Sequence, residues 1–123
     1  RVDPYQYVRG MFPKQAMANV YSSMDVLMNV SRGEGFGVPI AEAQACGMPV
    51  LTLDRGSMRE LVADGVSGYV CDDIADVEKV LREGLLAYLK PEGIVANAQR
   101  FSKQNMAEEY LTLFDQVHAG CLW

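Results

Sequence analysis

The order of apolar and polar residues along the chain predicts strands early and helices late. Nearly continuous apolar runs of strand length, typical of parallel strands covered on both faces, occupy residues 25–30 and 49–53. Shorter strand-like runs occupy residues 6–9 and 68–71. Segments with helical spacing of apolar residues are 13–23, 39–46, 58–63, 75–89, 94–100 and 103–118. This pattern favours an α/β fold with a parallel sheet, flanking helices and a helical C-terminal segment.

A glycine-rich loop connects the first of the two long apolar runs to a short helix. Residues 33–37 read G-E-G-F-G, so that glycines stand at three alternate positions where the backbone can turn tightly. Pro39 suits the first turn of the helix, and Gly47 is placed to end it in a left-handed conformation. Strand, glycine loop, helix and strand in this order predict one right-handed βαβ unit.

The loop has the features of a site for a sugar nucleotide. The amides of Gly35 to Val38 are expected at a helix N-terminus, which attracts anions such as a diphosphate. Ligands of open α/β sheets bind at this carboxyl end of a strand. Glu34 in the loop and Glu42 on the helix would repel phosphate but can accept hydrogen bonds from sugar hydroxyls. The alternative is that the glycines only shape a turn and the two glutamates are solvated.

Composition excludes several classes of function. The 123 residues are half hydrophobic and carry a net charge of -5, which indicates one soluble domain and argues against a basic nucleic-acid surface. No apolar run approaches the roughly 18 residues needed to cross a bilayer. The three cysteines lack metal-site spacing, so we expect free thiols in a reducing cytoplasm and no metal site.

Residues 25–70 resemble the donor domain of the retaining GT-B glycosyltransferases of family 4, also called group 1. Their signature, E-G-F-G-x-x-x-x-E followed by A-x-A-x-G-x-P-V, matches residues 34–50. A glycine turn, E-L-V and D-G-x-x-G match residues 56–68, and Y-x-x-x-D-V matches residues 21–26. The resemblance implies that residues 1–123 are part of a Rossmann-like, C-terminal nucleotide-sugar-binding domain whose N-terminal acceptor domain is absent.

The resemblance also implies a reaction and a set of site residues. A hexosyl group passes, with retention, from a UDP-, GDP- or ADP-linked sugar to a glycan or lipid acceptor, without a metal or other cofactor. Glu34 is implied as the catalytic-site residue that contacts the transferred sugar, and Glu42 as the acceptor from the ribose hydroxyls. The remaining implied donor-binding residues, which approach the sugar, the diphosphate or the nucleoside, are Gly35, Phe36, Gly37, Val38 and Ile40.

Some features leave the function open. The basic pair that holds the diphosphate in this family lies upstream of residue 1, so the fragment is expected to be inactive alone. A dinucleotide-binding loop, G-x-G-x-x-G, would need glycine where Val38 stands. A non-catalytic nucleotide-binding or partner-binding module of the same fold, or an epimerase, remains an alternative. Arg55 and Arg59 could reach phosphate or form surface charge, and peripheral membrane attachment of the full-length protein stays open.

Overall fold

The computed structural model describes residues 13–33 and 35–120. The predicted strand at residues 6–9 therefore lies outside the described residues. The described helices and strands are α1 (Lys14–Ser22), β1 (Leu27–Asn29), α2 (Val38–Ala45), β2 (Val50–Leu53), α3 (Met58–Leu61), β3 (Gly68–Cys71), α4 (Ile74–Arg82), a 3-10 helix (Leu85–Tyr88), α5 (Pro91–Gln99) and α6 (Lys103–His118). These elements confirm the predicted α/β fold, including the helical C-terminal segment.

The sheet is parallel and has the order β1-β2-β3. Val50 in the central strand pairs with Leu27 on one side and with Gly68 on the other. Strand β2 is buried through Val50, Leu51 and Thr52, as its apolar sequence predicts. In the described structure β1 is an edge strand and Met28 is 53% exposed. The prediction that residues 25–30 are covered on both faces is therefore not met there.

Two apolar cores occupy the two faces of the sheet. Because side chains alternate along a strand, Val50 enters one core and Leu51 the other. The first core joins β2 to α1, α2 and α3, and the second joins it to α4 and the 3-10 helix. Each fully buried side chain of this size stabilises the fold by about 1.5–3 kcal/mol. The first core holds α2, and with it the glycine loop, against one face of the sheet.

A buried polar network fixes α5 against α2. Nδ2 of Asn97 donates to Oε1 of Gln44 at 2.5 Å, to the carbonyl of Leu61 at 2.7 Å and to Oγ of Ser67 at 3.2 Å. Nε2 of Gln44 also donates to the Leu61 carbonyl, at 3.1 Å. Gln44 and Ser67 are fully buried. These hydrogen bonds set the position of α2 relative to the turn after α3.

The D-G-x-x-G segment at residues 64–68 is a turn that prepares β3. Oδ1 of Asp64 accepts from the amide of Val70 at 3.0 Å, and the amide of Gly65 donates to the carbonyl of Gly68 at 2.8 Å. Gly65 has a φ of 73°, in the left-handed region that favours glycine. This part of the family signature therefore has a structural explanation within the described chain.

The predicted helix at residues 75–89 is interrupted. Helix α4 begins after Asp73, whose side chain accepts from the amide of Asp76, and it ends at Arg82. Gly84 then adopts a φ of 66°, which a right-handed helix cannot contain, and a separate 3-10 helix follows. Apolar spacing continues through the break because both pieces contact the same core. The prediction of a single helix over residues 75–89 was wrong because the apolar spacing does not show the break at Gly84.

Helix α6 has no buried side chain in the described structure. Its large apolar residues are exposed, namely Met106, Tyr110, Leu111, Phe114 and Val117. Among residues 13–33 and 35–120, no helix is both long and apolar enough to span a membrane.

Candidate functional site

The glycine loop between β1 and α2 contains glycines of two kinds. Gly37 has a φ of 80° and is the N-cap residue of α2, so the backbone there requires glycine. Gly33 and Gly35 are different, because a Cβ at either position would meet no atom within 4 Å. Packing within the described chain does not demand these two glycines. Glycine at these two positions leaves room for a ligand to approach the backbone, and packing within the fold gives no other reason for glycine there.

No side chain among the described residues caps the N-terminus of α2. Gly37 has no side chain to cap the helix, and Pro39 at the start of the helix has no amide hydrogen. The amide of Ile40 donates to the Gly37 carbonyl at 2.9 Å, so it is already satisfied. The positive end of the helix dipole and the amide of Val38 remain directed toward the loop, an arrangement that suits phosphate.

A second loop at the same edge of the sheet holds the glycine loop in place. Oγ of Ser57, the N-cap residue of α3, donates to the carbonyl of Phe36 at 3.3 Å. Below it, Oγ1 of Thr52 donates to the carbonyl of Asn29 at 2.9 Å. The carboxyl ends of β1 and β2 are thus joined by two side-chain hydrogen bonds. Ser57 was noted from sequence only as part of a turn, and neither Thr52 nor Asn29 was singled out.

Glu42 faces a groove that it shares with two residues of the loop region. The groove has a volume of about 540 Å³, within the range typical of small-molecule sites. Phe36 and Val38 line it beside Glu42, and α5 and the start of α6 form the opposite wall. The ring of Phe36 contacts the edge of Phe101 from that wall, with centroids 5.7 Å apart. The structure therefore brings together three of the residues predicted from sequence.

The carboxylate of Glu42 is held by a tyrosine from a different helix. The hydroxyl of Tyr21, in the last turn of α1, donates to Oε2 of Glu42 at 3.0 Å. Tyr21 was part of the Y-x-x-x-D-V match, but no role was assigned to it from sequence. The signal that could have found it is the helical spacing, which places a polar hydroxyl on the apolar face of α1.

Other predicted residues are placed differently. Ile40 is 1% exposed and packs in the core with Tyr21 and Ala43. Its side chain belongs to that core, and the donor-binding role implied for it stays a prediction. Gly35 is exposed in the loop, whereas Gly37 is buried. Glu34, to which the sugar contact was assigned, lies outside the described residues.

Of the two arginines after β2, Arg59 pairs with carboxylates and Arg55 donates to backbone carbonyls. Nε of Arg59 lies 2.7 Å from Oδ2 of Asp54, and its Nη2 lies 3.4 Å from Oδ1 of Asp72. Hydrogen bonding to Asp54 and its charge raise the pKa of Arg59 above its ordinary value. Nη1 of Arg55 donates to the backbone carbonyl of Asp54 at 2.6 Å. Both arginines are exposed, and their described partners belong to Asp54 and Asp72.

Cys71, at the end of β3, is expected to react slowly with alkylating reagents. It is 5% exposed, and burial raises the pKa of its thiol, with the carboxylates of Asp76 and Asp64 adding to the rise. Because the thiolate is the nucleophile, iodoacetamide should modify Cys71 at least about tenfold more slowly in the folded chain than in urea. Peptide mass spectrometry over a time course measures this. Equal rates in the two states would contradict the burial of this thiol.

Comparison with known proteins places the site in a family. Residues 2–87 match the family model described as Glycosyl transferases group 1. A D-inositol 3-phosphate glycosyltransferase from Saccharomonospora viridis is 35% identical over 113 residues, which cover 86% of this chain and 26% of that protein. One from Segniliparus rotundus is 35% identical over 115 residues, covering 88% and 25% respectively. The chain thus spans about a quarter of the length of these curated relatives.

Solved structures agree in fold. Sucrose-phosphate synthase from Thermosynechococcus elongatus superposes with a TM-score of 0.64 at 25% identity, over 82% of this chain and 27% of that one. The Anabaena protein HepE in complex with UDP gives a TM-score of 0.58 at 26% identity, over 76% and 29%. These likenesses confirm the predicted GT-B, Rossmann-like architecture. Together with the family match over residues 2–87, they show that this chain belongs to the group 1 glycosyl transferases.

Proposed function

We propose that this chain forms part of the donor site of a retaining hexosyltransferase that uses a nucleoside diphosphate sugar. One observation carries the proposal: Glu42 shares a groove with Phe36 and Val38, beside the uncapped N-terminus of α2. An anion site and a hydroxyl acceptor next to each other match the two chemical parts of such a donor. Neither the anion site nor the hydroxyl acceptor would by itself distinguish a nucleotide sugar from a simple phosphate.

Each element of the site has a separate part in the proposed reaction. The amide of Val38 and the positive end of the α2 dipole bind the diphosphate and stabilise the charge that it gains when its bond to the anomeric carbon breaks. The acceptor hydroxyl forms the new bond to that carbon, and its proton passes to an oxygen of the leaving diphosphate. Glu42 accepts from the ribose hydroxyls and fixes the nucleoside. Glu34 contacts the transferred sugar, a role that rests on the family resemblance.

Uridine is the donor base to test first. HepE, which shares the fold, has been solved with UDP, with UDP-glucose, and with UDP and glucose. We therefore propose a UDP-linked hexose as donor and a hydroxyl of a glycan or lipid as acceptor. D-inositol 3-phosphate, which the names of the curated relatives contain, is a further acceptor to include in activity assays with a longer protein.

Replacing Glu42 by alanine is expected to weaken UDP binding by about 10- to 100-fold, the effect of losing charge-assisted hydrogen bonds to the ribose. The measurement is a titration of the 123-residue chain with UDP, GDP and ADP, followed by backbone amide chemical shifts. One nucleotide should shift the amides between Gly35 and Glu42. Glu83→Ala is the matched control, because that exposed glutamate follows α4 on the opposite face of the sheet.

Two results would contradict the site assignment. In one, none of the three nucleotides shifts these amides even at millimolar concentration. In the other, Glu42→Ala binds UDP as well as the unaltered chain does. A shift of the same amides by NAD but not by UDP would instead favour the dinucleotide-binding alternative.

A further inference from the structure

A hydrogen bond between α1 and α2 ends at a residue of the proposed site. The hydroxyl of Tyr21 donates to Oε2 of Glu42 at 3.0 Å, across a sequence separation of 21 residues. The two ends of this contact differ in environment, since Tyr21 is 6% exposed and Glu42 is exposed to solvent. The donor is therefore fixed in the core, and the acceptor is the side chain that a ligand can reach.

We infer that Tyr21 is a positioning residue that orients the Glu42 carboxylate for ribose recognition. The inference rests on the proposed function, in which Glu42 binds the ribose. A carboxylate has two oxygens, so one can accept from Tyr21 while Oε1 accepts from a ligand hydroxyl. An exposed glutamate otherwise loses rotamer freedom when it binds, and this loss of entropy opposes binding. A carboxylate that is already held avoids part of that cost.

The packing of Tyr21 explains why its hydroxyl and its ring can be separated experimentally. The ring belongs to the core formed with Ile40, Ala43 and Val50. Phenylalanine would fill the same volume, so the apolar contacts of α1 with α2 do not need the hydroxyl. The hydroxyl adds direction, because it holds Oε2 of Glu42, a residue that lines the groove, and does not engage Oε1. A substitution of Tyr21 by phenylalanine therefore tests the hydrogen bond and spares the core.

The experiment compares UDP with 2′,3′-dideoxy-UDP, which lacks the two ribose hydroxyls. Both are titrated into the full chain, into Tyr21→Phe, into Glu42→Ala and into the double variant. We expect Tyr21→Phe to weaken UDP binding by about three- to tenfold and to leave dideoxy-UDP binding unchanged. In the Glu42→Ala background the same change should have no further effect on UDP affinity, because the two residues act through one contact.

The possible outcomes separate this inference from the proposed function. If Tyr21→Phe leaves UDP affinity unchanged while Glu42→Ala lowers it, Tyr21 does not position Glu42 and the site assignment stands. If Tyr21→Phe weakens both nucleotides equally, the hydroxyl has a structural role and the inference fails. If Glu42→Ala itself has no effect on UDP, both the inference and the ribose site are wrong. Urea denaturation of each variant confirms that the chain remains folded during the titrations.

Discussion

Gly68→Ala is expected to lower the free energy of unfolding by about 3–5 kcal/mol, the range of severe overpacking in a core. A Cβ at residue 68 would lie 2.0 Å from the carbonyl oxygen of Val50, 2.8 Å from its carbon and 3.0 Å from its nitrogen. These are backbone atoms of the central strand and have no rotamer into which to move. The variant must separate β3 from β2 at the point where Val50 and Gly68 pair.

Urea denaturation of the 123-residue chain, followed by circular dichroism, measures the loss. Gly93→Ala is the matched control, since its Cβ would meet a methyl group of the half-exposed Val66 side chain at 3.3 Å rather than backbone. Gly93 lies inside α5, where alanine is favoured over glycine by about 1 kcal/mol. The helix preference and the close contact with Val66 oppose each other, so Gly93→Ala should leave the free energy of unfolding nearly unchanged. A Gly68→Ala variant as stable as Gly93→Ala would show that β3 does not approach β2 this closely.

The position of Gly68 bears on how the family signature should be interpreted. Three of its features, the Asp64 side chain, Gly65 and Gly68, build the turn into β3 and are not among the described residues that line the groove beside α2. Other parts of the signature, around Phe36 and Glu42, face that groove. A motif match therefore combines residues that fold the domain with residues proposed to bind its ligand. Only the structure separates the two groups, because both consist of glycines and carboxylates.

Local sequence was enough to predict α2 and the loop before it. Pro39 is compatible with a helix start, and Gly47, with a φ of 76°, ends it as predicted. The orientation of the helix was harder to predict. Its eight residues are apolar on nearly every side, so periodicity could not show that Ile40 faces the core while Val38 is exposed. The burial of Ile40 was not predictable for that reason.

Contacts between distant segments were not predictable from spacing. The bond from Tyr21 to Glu42 joins α1 to α2, and the bond from Ser57 to the Phe36 carbonyl joins two loops. Both depend on how the helices settle on the sheet after their local structure has formed. Gln44 shows the same limit, because a glutamine on a short helix gives no sign that it will be fully buried. Its burial is explained by a partner 53 residues away.

Asn97→Asp is expected to lower the free energy of unfolding by about 3–5 kcal/mol at neutral pH, the cost of leaving a buried charge without compensation. The substitution replaces the Nδ2 donor by an oxygen that faces Oε1 of Gln44 and the carbonyl of Leu61, both acceptors. The hydroxyl of Ser67 could rotate to donate to the new carboxylate, but Oε1 of Gln44 and the carbonyl of Leu61 would still face it as acceptors. Arg100 binds the other side of Asn97 from the exposed surface, and such pairs contribute about 1 kcal/mol or less.

The loss in Asn97→Asp should shrink as the pH falls, and this identifies its cause. Burial disfavours the charged form, so the pKa of the introduced carboxyl is higher in the folded chain than its unfolded value of about 3.9. Its protonated form, which can donate one hydrogen bond, stabilises the fold below that unfolded pKa, and this contribution is lost as the pH rises through the folded pKa.

Asn97→Ala is the control, expected to lose about 1–3 kcal/mol with no such pH dependence. Urea titrations of both variants and the unaltered chain at several pH values measure the difference. Parallel losses for the two variants at every pH would mean that the amide of Asn97 does not donate into this buried cluster.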